Sequence, residues 1–537
     1  MSDVGGLMFQ VLTPNDFLRR AERHFPGKLA VVDEPKQFTY AQLRQGANRL
    51  SHALLSLGVC KGDRVAILSP NTHWMLESFF GVPQIGAVLV PLNYRLASGD
   101  FHYILSHSGS KILLLDWEYA GCIAPIRETL HDLKEIIFLR DGQPKPTSPQ
   151  GRDIEPLLAD SSAEDPPEPG LDEKDTCTLN YTSGTTARPK GVMLSHRALV
   201  CNALDFIMHL EVSYRDVYLH TLPMFHANGW GGIWAVTAVG GTHICQRRVD
   251  VSEIYERIRK YKVTFACAAP TVLVNIANAK EAAPGALAGL RIGTAGAPPP
   301  AAVIERMEGL GARVMHAYGL TETGPFLTIC EWKPEFDGLP AGERAKIKAR
   351  QGISQLLADT RVLDENLQEV PHDGETVGEI CARGHVFMTG YYNQPEETAK
   401  AFAGGWFHSG DLAVVHPDNY IEIVDRAKDV IISGGENISS VEIEGVIYKH
   451  PDVLEVAVVG VPDSKWGEAP RAVIVARSGT SVNEEEIIQF CRERMAHFKV
   501  PKGVDFVDAI PKTATGKTQK FLLREKYWAG KGKRVQG

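Results

Sequence analysis

The chain has 537 residues, 44% of them hydrophobic, which calls for several globular units and excludes a single compact core. Its net charge of −8, from 57 basic and 65 acidic residues, is well mixed, which argues against a nucleic-acid partner. The opening MSDVGGLMF is no signal peptide, no run of about 18 apolar residues reads as a membrane span, the final Val-Gln-Gly is no peroxisomal address, and nine singly scattered cysteines suit reduced thiols; the expectation is a cytoplasmic protein.

Taken in chain order, Thr13-Pro14-Asn15-Asp16 offers a cap residue, a proline for the first helical position and an acid for the first turn. Leu43, Ala47, Leu50, Leu54 and Leu57 recur at helical spacing, and Gly58 follows as a stop. Short apolar runs at 64–68, 87–90, 111–115 and 135–139 alternate with such helices, the pattern of a mostly parallel, helix-covered sheet. Residues 145–169, rich in Pro, Asp and Ser, read as a surface loop. Strands are expected over 261–269 and 289–295, with a break at Ala297-Pro298-Pro299-Pro300. Beyond Gly352 the strands become short, with turns at Asp373-Gly374 and Gly404-Gly405 and an alternating strand over 420–424. After Lys428 comes a separate α+β unit, 429–537: a capping box of Ser439 and Glu442 opens a helix to about His450, strands follow at 453–461 and 471–476, and a helix at 484–495.

The stretch YTSGTTARPKGV, Tyr181–Val192, carries the first chemical signal. Small residues let a backbone approach an anion, hydroxyls and N–H groups bind its oxygens, and a lysine adds a point charge. Thr182–Lys190 thus reads as a polyphosphate cradle, although the stretch alone also reads as an ordinary surface turn. It is not a Walker loop, because five residues separate Gly184 from Lys190. Four further stretches accompany it in order: Tyr318-Gly-Leu-Thr-Glu322, a hydroxyl beside a carboxylate as a Mg²⁺ and phosphate site needs; Trp406-Phe-His-Ser-Gly-Asp411, whose acid suits two ribose hydroxyls; Asp425–Asn437, joining the two units; and Pro511–Lys517, a flexible loop tipped by lysine.

These five motifs together, over roughly Phe38 to Lys520, resemble the AMP-forming acyl-CoA synthetases, whose superfamily includes firefly luciferase and the adenylation domains of nonribosomal peptide synthetases. The stretches Leu222–Trp230 and Ala238–Thr242 look most like activators of fatty and related aliphatic acids. The resemblance implies an α/β fold: a large N-terminal domain, 1–428, holding the ATP and acyl sites and a small barrel-like β part, then a small mobile domain, 429–537. It implies that ATP and a carboxylate give acyl-AMP and pyrophosphate, and that the CoA thiol then displaces AMP. No protein nucleophile is needed, since the charge gathered at the α-phosphorus is stabilised by Mg²⁺, lysine and backbone N–H groups.

The implied roles follow the motifs. Thr182, Ser183, Gly184, Thr185, Thr186 and Lys190 would hold the β- and γ-phosphates; Thr321 would touch the α-phosphate and Glu322 would hold Mg²⁺. Ala295, Gly296, Ala297 and Tyr318 would flank adenine, and Asp411 and Arg426 would bind the ribose. Lys517 would bridge the carboxylate and the α-phosphate, and His226 would stand between the acyl and nucleotide sites unless it is a hydrogen-bonded core histidine. Lys428 takes the hinge position, Gly434 and Gly435 would line the pantetheine tunnel, and Trp466, Phe498 and Lys502 are candidates for the nucleotide end of CoA. The acyl pocket would be built from His226, Ala227, Asn228, Gly229 and Trp230, with Gly319, Thr323, Gly324 and Pro325; it offers no cation for a second carboxylate. Trp230 either shortens that cavity or packs as core. The expected substrate is a short- or medium-chain monocarboxylate, aliphatic or aryl-substituted, with a long-chain fatty acid left open because sequence does not give tunnel length, together with ATP, Mg²⁺ and CoA, handled by a monomer or homodimer. Ala187 stands where many relatives have glycine. A carrier-protein ligase and a non-catalytic nucleotide or acyl-adenylate binding protein stay open as alternatives.

Overall fold

The computed structural model describes residues 10–182, 188–426, 428–433, 436–513 and 518–529. Two large sheets dominate. The first has eight strands among the described residues, in the order Gly390–Tyr391, Lys190–Ser195, Thr176–Thr182, Val88–Pro91, Arg64–Leu68, Ile112–Asp116, Glu135–Leu139 and Arg152–Asp153. It is parallel from Thr176–Thr182 outward to Arg152–Asp153, while Lys190–Ser195 and Gly390–Tyr391 add antiparallel strands at one edge. The second has nine, among them Arg313–Tyr318, Arg291–Thr294, Phe265–Ala268, Val217–Leu219, Thr242–Ile244 and Leu29–Asp33, all joined in parallel.

One continuous core lies between the two sheets. It joins Val65, Ile67 and Leu114 of the first to Val31, Tyr218 and Phe265 of the second through Leu43, Leu50, Phe79, Phe80, Phe206 and Trp234. The helices Tyr40–Ser56, His73–Gly81, His196–His209 and Gly232–Val239 supply those intervening side chains. Further helices cover the outer faces: Ser98–Ser108 over one sheet, and Val251–Tyr261, Pro270–Ala277 and Ala301–Gly309 over the other. Strands buried on both faces read as unbroken apolar runs, which is why Arg64–Leu68 and Glu135–Leu139 fall where the sequence put them.

Several local expectations change. Pro14, not Thr13, sits at the cap of helix Asn15–His24, without a side-chain cap bond. The Thr13 hydroxyl instead meets His196 Nδ1 at 3.0 Å. Within the expected loop 145–169 the helix Ile154–Ala159 forms, anchored by buried Ile154. Helix Val251–Tyr261 runs through Tyr261, so the strand expected from 261 begins at Phe265. Ser439 does cap helix Ser440–Ile447 by accepting from Glu442 N.

The expected small β part is a four-stranded antiparallel sheet, Ala358–Leu363, Gly378–Gly384, Phe407–Val415 and Ile421–Arg426. The smaller C-terminal domain follows. Its long hairpin Val453–Asp463 with Gly467–Ala476 is joined by Ile431–Ser433, Glu436–Ile438 and Val504–Phe506. Its connection to the preceding strand is polar: Asp425 Oδ2 accepts from Ser440 N at 2.7 Å and from Ser440 Oγ at 2.8 Å. Beside them Lys520 Nζ donates to Ser440 Oγ at 2.6 Å and pairs with Glu444 at 2.8 Å. No helix among the described residues is long and apolar enough to cross a membrane. The nine cysteines are all unpaired; seven are buried, Cys122 is half-buried and Cys60 is exposed.

Candidate functional site

The candidate residues gather where strand ends of the two large sheets meet the four-stranded sheet, outside the carboxyl ends of parallel strands, where open α/β sheets bind ligands. Arg313–Tyr318 ends in Tyr318, whose hydroxyl donates to Asp411 Oδ2 at 2.7 Å. Asp411 stands opposite Arg426 in the pairing of Phe407–Val415 with Ile421–Arg426, and Arg426 Nε lies 3.1 Å from Asp411 Oδ1. Burial and the Asp411 charge push the Tyr318 phenol well above its ordinary range, so it remains a donor. Each Asp411 oxygen thus has one fixed partner and a remaining lone pair, a fit for a vicinal diol.

The second group is built from three elements. Thr321–Thr323 form a single turn after the strand, with Thr321 and Thr323 buried. The Thr323 hydroxyl donates to Pro325 O at 2.8 Å and accepts from Leu320 N at 2.9 Å. Gly319 allows this fold-back, because a Cβ there would lie 1.8 Å from Pro325 O; Gly324, at φ +79°, would set its Cβ 2.1 Å from Val386 O. Glu322 is held at both ends: its carbonyl accepts from Met388 N at 2.8 Å and its Oε1 from the Tyr391 hydroxyl at 3.0 Å. The Tyr391 ring lies 4.7 Å from Lys190 Nζ, and that ammonium pairs with Glu397 Oε2 at 2.7 Å. The hydrogen bond from Lys190 holds the Glu397 carboxyl down at about 2. Thr182 and Lys190 are register partners at the stem of the expected cradle. Ser183, Gly184, Thr185 and Thr186 lie outside the described residues, as do Gly434, Gly435 and Lys517.

The third group is the loop after Phe225. His226 is half-buried, with its N–H on Pro223 O at 3.1 Å. Ala227, Asn228, Gly229 and Trp230 follow with φ of 36°, 50°, 56° and 55°, four successive left-handed residues. Ala227 and Trp230 there each cost about 1–2 kcal/mol, strain of the kind that collects at binding sites. Asn228 Nδ2 donates to Thr178 Oγ1 at 2.9 Å, an oxygen that also accepts from Asn180 Nδ2 at 2.9 Å. The loop is thereby tied to the strand that leads into the cradle. Trp230, 4% exposed, meets Phe326 edge-on at 6.0 Å between centroids, and a Cβ on Gly296 would lie 4.0 Å from its ring. Ala295 is buried, Ala297 half-buried and Gly296 exposed, just beyond strand Arg291–Thr294.

Of the remaining candidates among the described residues, Lys428 lies within reach of the Asp411 and Arg426 charges. Trp466 is 43% exposed beneath the Lys465 ammonium, Phe498 is 46% exposed, and Lys502 and Lys428 are exposed. Sequence reasoning missed Tyr391, Glu397, Thr178 and Asn180. A signal for Glu397 was present: Pro395 at a helix start with Glu396 and Glu397 in the first turn. Nothing nearby marked Tyr391, whose partner Glu322 is 69 positions away.

The chain matches the family model of the AMP-binding enzymes over residues 18–392 and that of their C-terminal domain over 442–517. It is 44% identical over 529 residues to 4-hydroxybutyrate–CoA ligase 2 of Metallosphaera sedula, covering 97% of this chain and 96% of that protein. It is 42% identical over 548 residues to the peroxisomal benzoate–CoA ligase of Arabidopsis thaliana, covering 96% and 93%. Its fold superposes on an anthranilate CoA ligase crystallised with anthranoyl-AMP at a TM-score of 0.86, with 26% identity and 96% and 97% of the two chains covered. The chain belongs to the AMP-binding enzymes and is an AMP-forming acyl-CoA synthetase.

Proposed function

We propose that this synthetase activates a short- or medium-chain monocarboxylic acid, aliphatic or aryl-substituted, and that the residues above take the roles their motifs suggest. The observation that carries the proposal is the pair of adjoining clusters, Tyr318–Asp411–Arg426 and Glu322–Tyr391–Lys190, at one junction of strands. The first suits a ribose: the buried Asp411 carboxylate accepts from both hydroxyls while Tyr318 and Arg426 fix its plane. The second suits a polyphosphate: Lys190 supplies charge at the cradle stem, and Thr321 and Glu322 stand beside it. The Glu322 carboxylate, oriented by Tyr391, is a hard oxygen donor of the type Mg²⁺ takes, and Mg²⁺ there would neutralise phosphate charge. His226, Asn228, Gly229 and Trp230 would form the acyl wall, with Gly296 and Ala297 at the adenine side. The names of the relatives, with 4-hydroxybutyrate, benzoate and anthranilate among them, support a compact monocarboxylate. Nine free cysteines suit a reducing compartment such as the cytosol.

Residues 429–537 would turn as a lid about Lys428, bringing Lys517 to the carboxylate for adenylation and Gly434 and Gly435 to the CoA path for transfer; Trp466 would then meet the nucleotide end of CoA. Lys517 would sit between two anions that otherwise repel, which stabilises the first transition state alone. Removing one such donor costs about 2.7–4 kcal/mol. Pyrophosphate release across a panel of acids, measured with Lys517→Ala in both half-reactions, tests the whole reading. Adenylation should fall about 10²–10³-fold while supplied acyl-AMP and CoA still give thioester. Equal damage to both steps would remove Lys517 from its role, and ADP as product would remove the reading altogether.

A further inference from the structure

Away from the nucleotide group, Glu379, Cys381 and His408 face one another across the four-stranded sheet. Glu379 and Cys381 are two positions apart on Gly378–Gly384, so their side chains share a face, and Cys381 is the direct register partner of His408 on Phe407–Val415. Their ligand atoms all lie within 4.8 Å of one another. His408 Nδ1 is 2.8 Å from Glu379 Oε2 and 3.6 Å from Cys381 Sγ. In a tetrahedral site with Zn–S of about 2.3 Å and Zn–N of about 2.0–2.1 Å, sulfur and nitrogen stand about 3.6 Å apart. The spacing is therefore that of a chelating pair before any movement, and the Nδ1–Oε2 distance needs to open by only about 0.5 Å.

The ring is also oriented as a ligand requires. His408 Nε2 lies 3.1 Å from Ala403 O, an acceptor that takes the Nε2 proton and turns the Nδ1 lone pair toward Glu379 and Cys381. Both ring nitrogens thus face oxygen acceptors, and a cation at Nδ1 serves where a second proton would otherwise be needed. Cys381 brings a soft donor and is buried, while Glu379 and His408 are half-buried and leave an approach from solvent. Among the described residues, the group of Asp33, His73 and Asp141 lacks this convergence. Around His73, Asp33 sits 2.7 Å from Nδ1 but Asp141 sits 3.7 Å from Nε2, on the opposite side of the ring, and Lys36 already pairs with Asp141.

We infer that Glu379, Cys381 and His408 form a binding site for one borderline-soft divalent cation of the Zn²⁺ or Co²⁺ class, with water as the fourth ligand. Binding forms metal bonds to Oε2, Sγ and Nδ1 and releases two protons to solvent, that of Cys381 and the one shared between Nδ1 and Oε2. The other carboxylate oxygen of Glu379 already holds Gly410 N at 2.8 Å, where the pairing of the two strands shifts register immediately before Asp411. An ion fixing Glu379 therefore braces the bulge that presents Asp411.

The test is Co²⁺ titration of the chelator-treated full chain. The expected result is one equivalent bound with thiolate-to-cobalt charge-transfer absorption and tetrahedral d–d bands, both bleached by Zn²⁺, and a Tm that rises with Zn²⁺ concentration. The absorption should vanish in Cys381→Ser and persist in Cys60→Ser, which alters an exposed thiol elsewhere. Because the spectrum and the Zn²⁺-dependent Tm are read on the unaltered protein, the site is refuted if neither is seen there, whatever the stability of the variants. It is equally refuted if Cys381→Ser keeps the absorption.

Discussion

Glu77 shows how one side chain couples this fold to pH. It lies on helix His73–Gly81, 3% exposed, pressed against Gly46 of the neighbouring helix, with Oε2 lacking a hydrogen-bond partner. Burial raises its carboxyl to about 7, with His73 and Lys36 opposing and Asp141 and Asp33 adding to the shift. An acid whose folded pKa exceeds its unfolded value binds more protons when folded, so stability is fully present below about 4.5 and is lost as pH climbs to about 7. The slope from this group reaches about 1.4 kcal/mol per pH unit. Glu77→Gln should flatten the stability profile across that window, as urea unfolding at stepped pH would show; an unchanged slope would place the titration elsewhere. Asp411 illustrates the contrary design: equally buried, it is satisfied on both oxygens by Tyr318 and Arg426.

At the level of elements, the loop 226–231 carries the most consequence. Its left-handed run turns Trp230 inward against Phe326, beside Gly296, instead of letting the chain continue as helix. If the indole closes the acyl cavity, Trp230→Ala should shift preference toward longer or bulkier acids. The gain is at most about 0.8 kcal/mol per added methylene, roughly fourfold in kcat/KM. An unchanged chain-length profile in a folded variant would return Trp230 to a packing role. Such a loop was only partly legible beforehand: the residues stood out, but four successive positive φ values follow from tertiary contacts, Asn228 with Thr178 above all, and two of the four residues, Ala227 and Trp230, have no intrinsic preference for them. Strands such as Arg64–Leu68 were legible because burial on both faces writes an apolar run. The helix Ile154–Ala159 was not, because a single buried residue, Ile154, holds it amid proline-rich flanks. In the site, motif residues could be named from local sequence; Tyr391 could not, because its role arises from an edge strand that arrives from far along the chain, and Glu397, marked only as an acid in a helix's first turn, meets Lys190 through that same distant segment.

For the molecule as a whole, the proposed turn of the smaller domain makes its tether the point to test. Asp425, held by both the N–H and the hydroxyl of Ser440, ties the last strand before Lys428 to the first helix after it. If rotation is centred on Lys428, then Lys428→Pro, which fixes φ, should spare adenylation more than thioester formation. Rapid-quench measurement of each half-reaction decides it, and equal losses would argue for a different pivot.

The distribution of the nine unpaired cysteines has a consequence for an enzyme whose own substrate is a thiol. Exchange between a protein thiol and the disulfide form of such a substrate requires an accessible thiolate. Burial pushes Cys267 and Cys330 up to about 12 and raises Cys177 and Cys245 as well, and seven of the nine are buried. An aromatic disulfide reagent should therefore modify Cys60 quickly, Cys122 slowly, and the remaining seven only after unfolding. Rapid modification of all nine in the native protein would contradict this. Oxidised coenzyme should thus engage Cys60 first, and Cys60 is the position at which any mixed disulfide would be found while the seven buried thiols stay reduced.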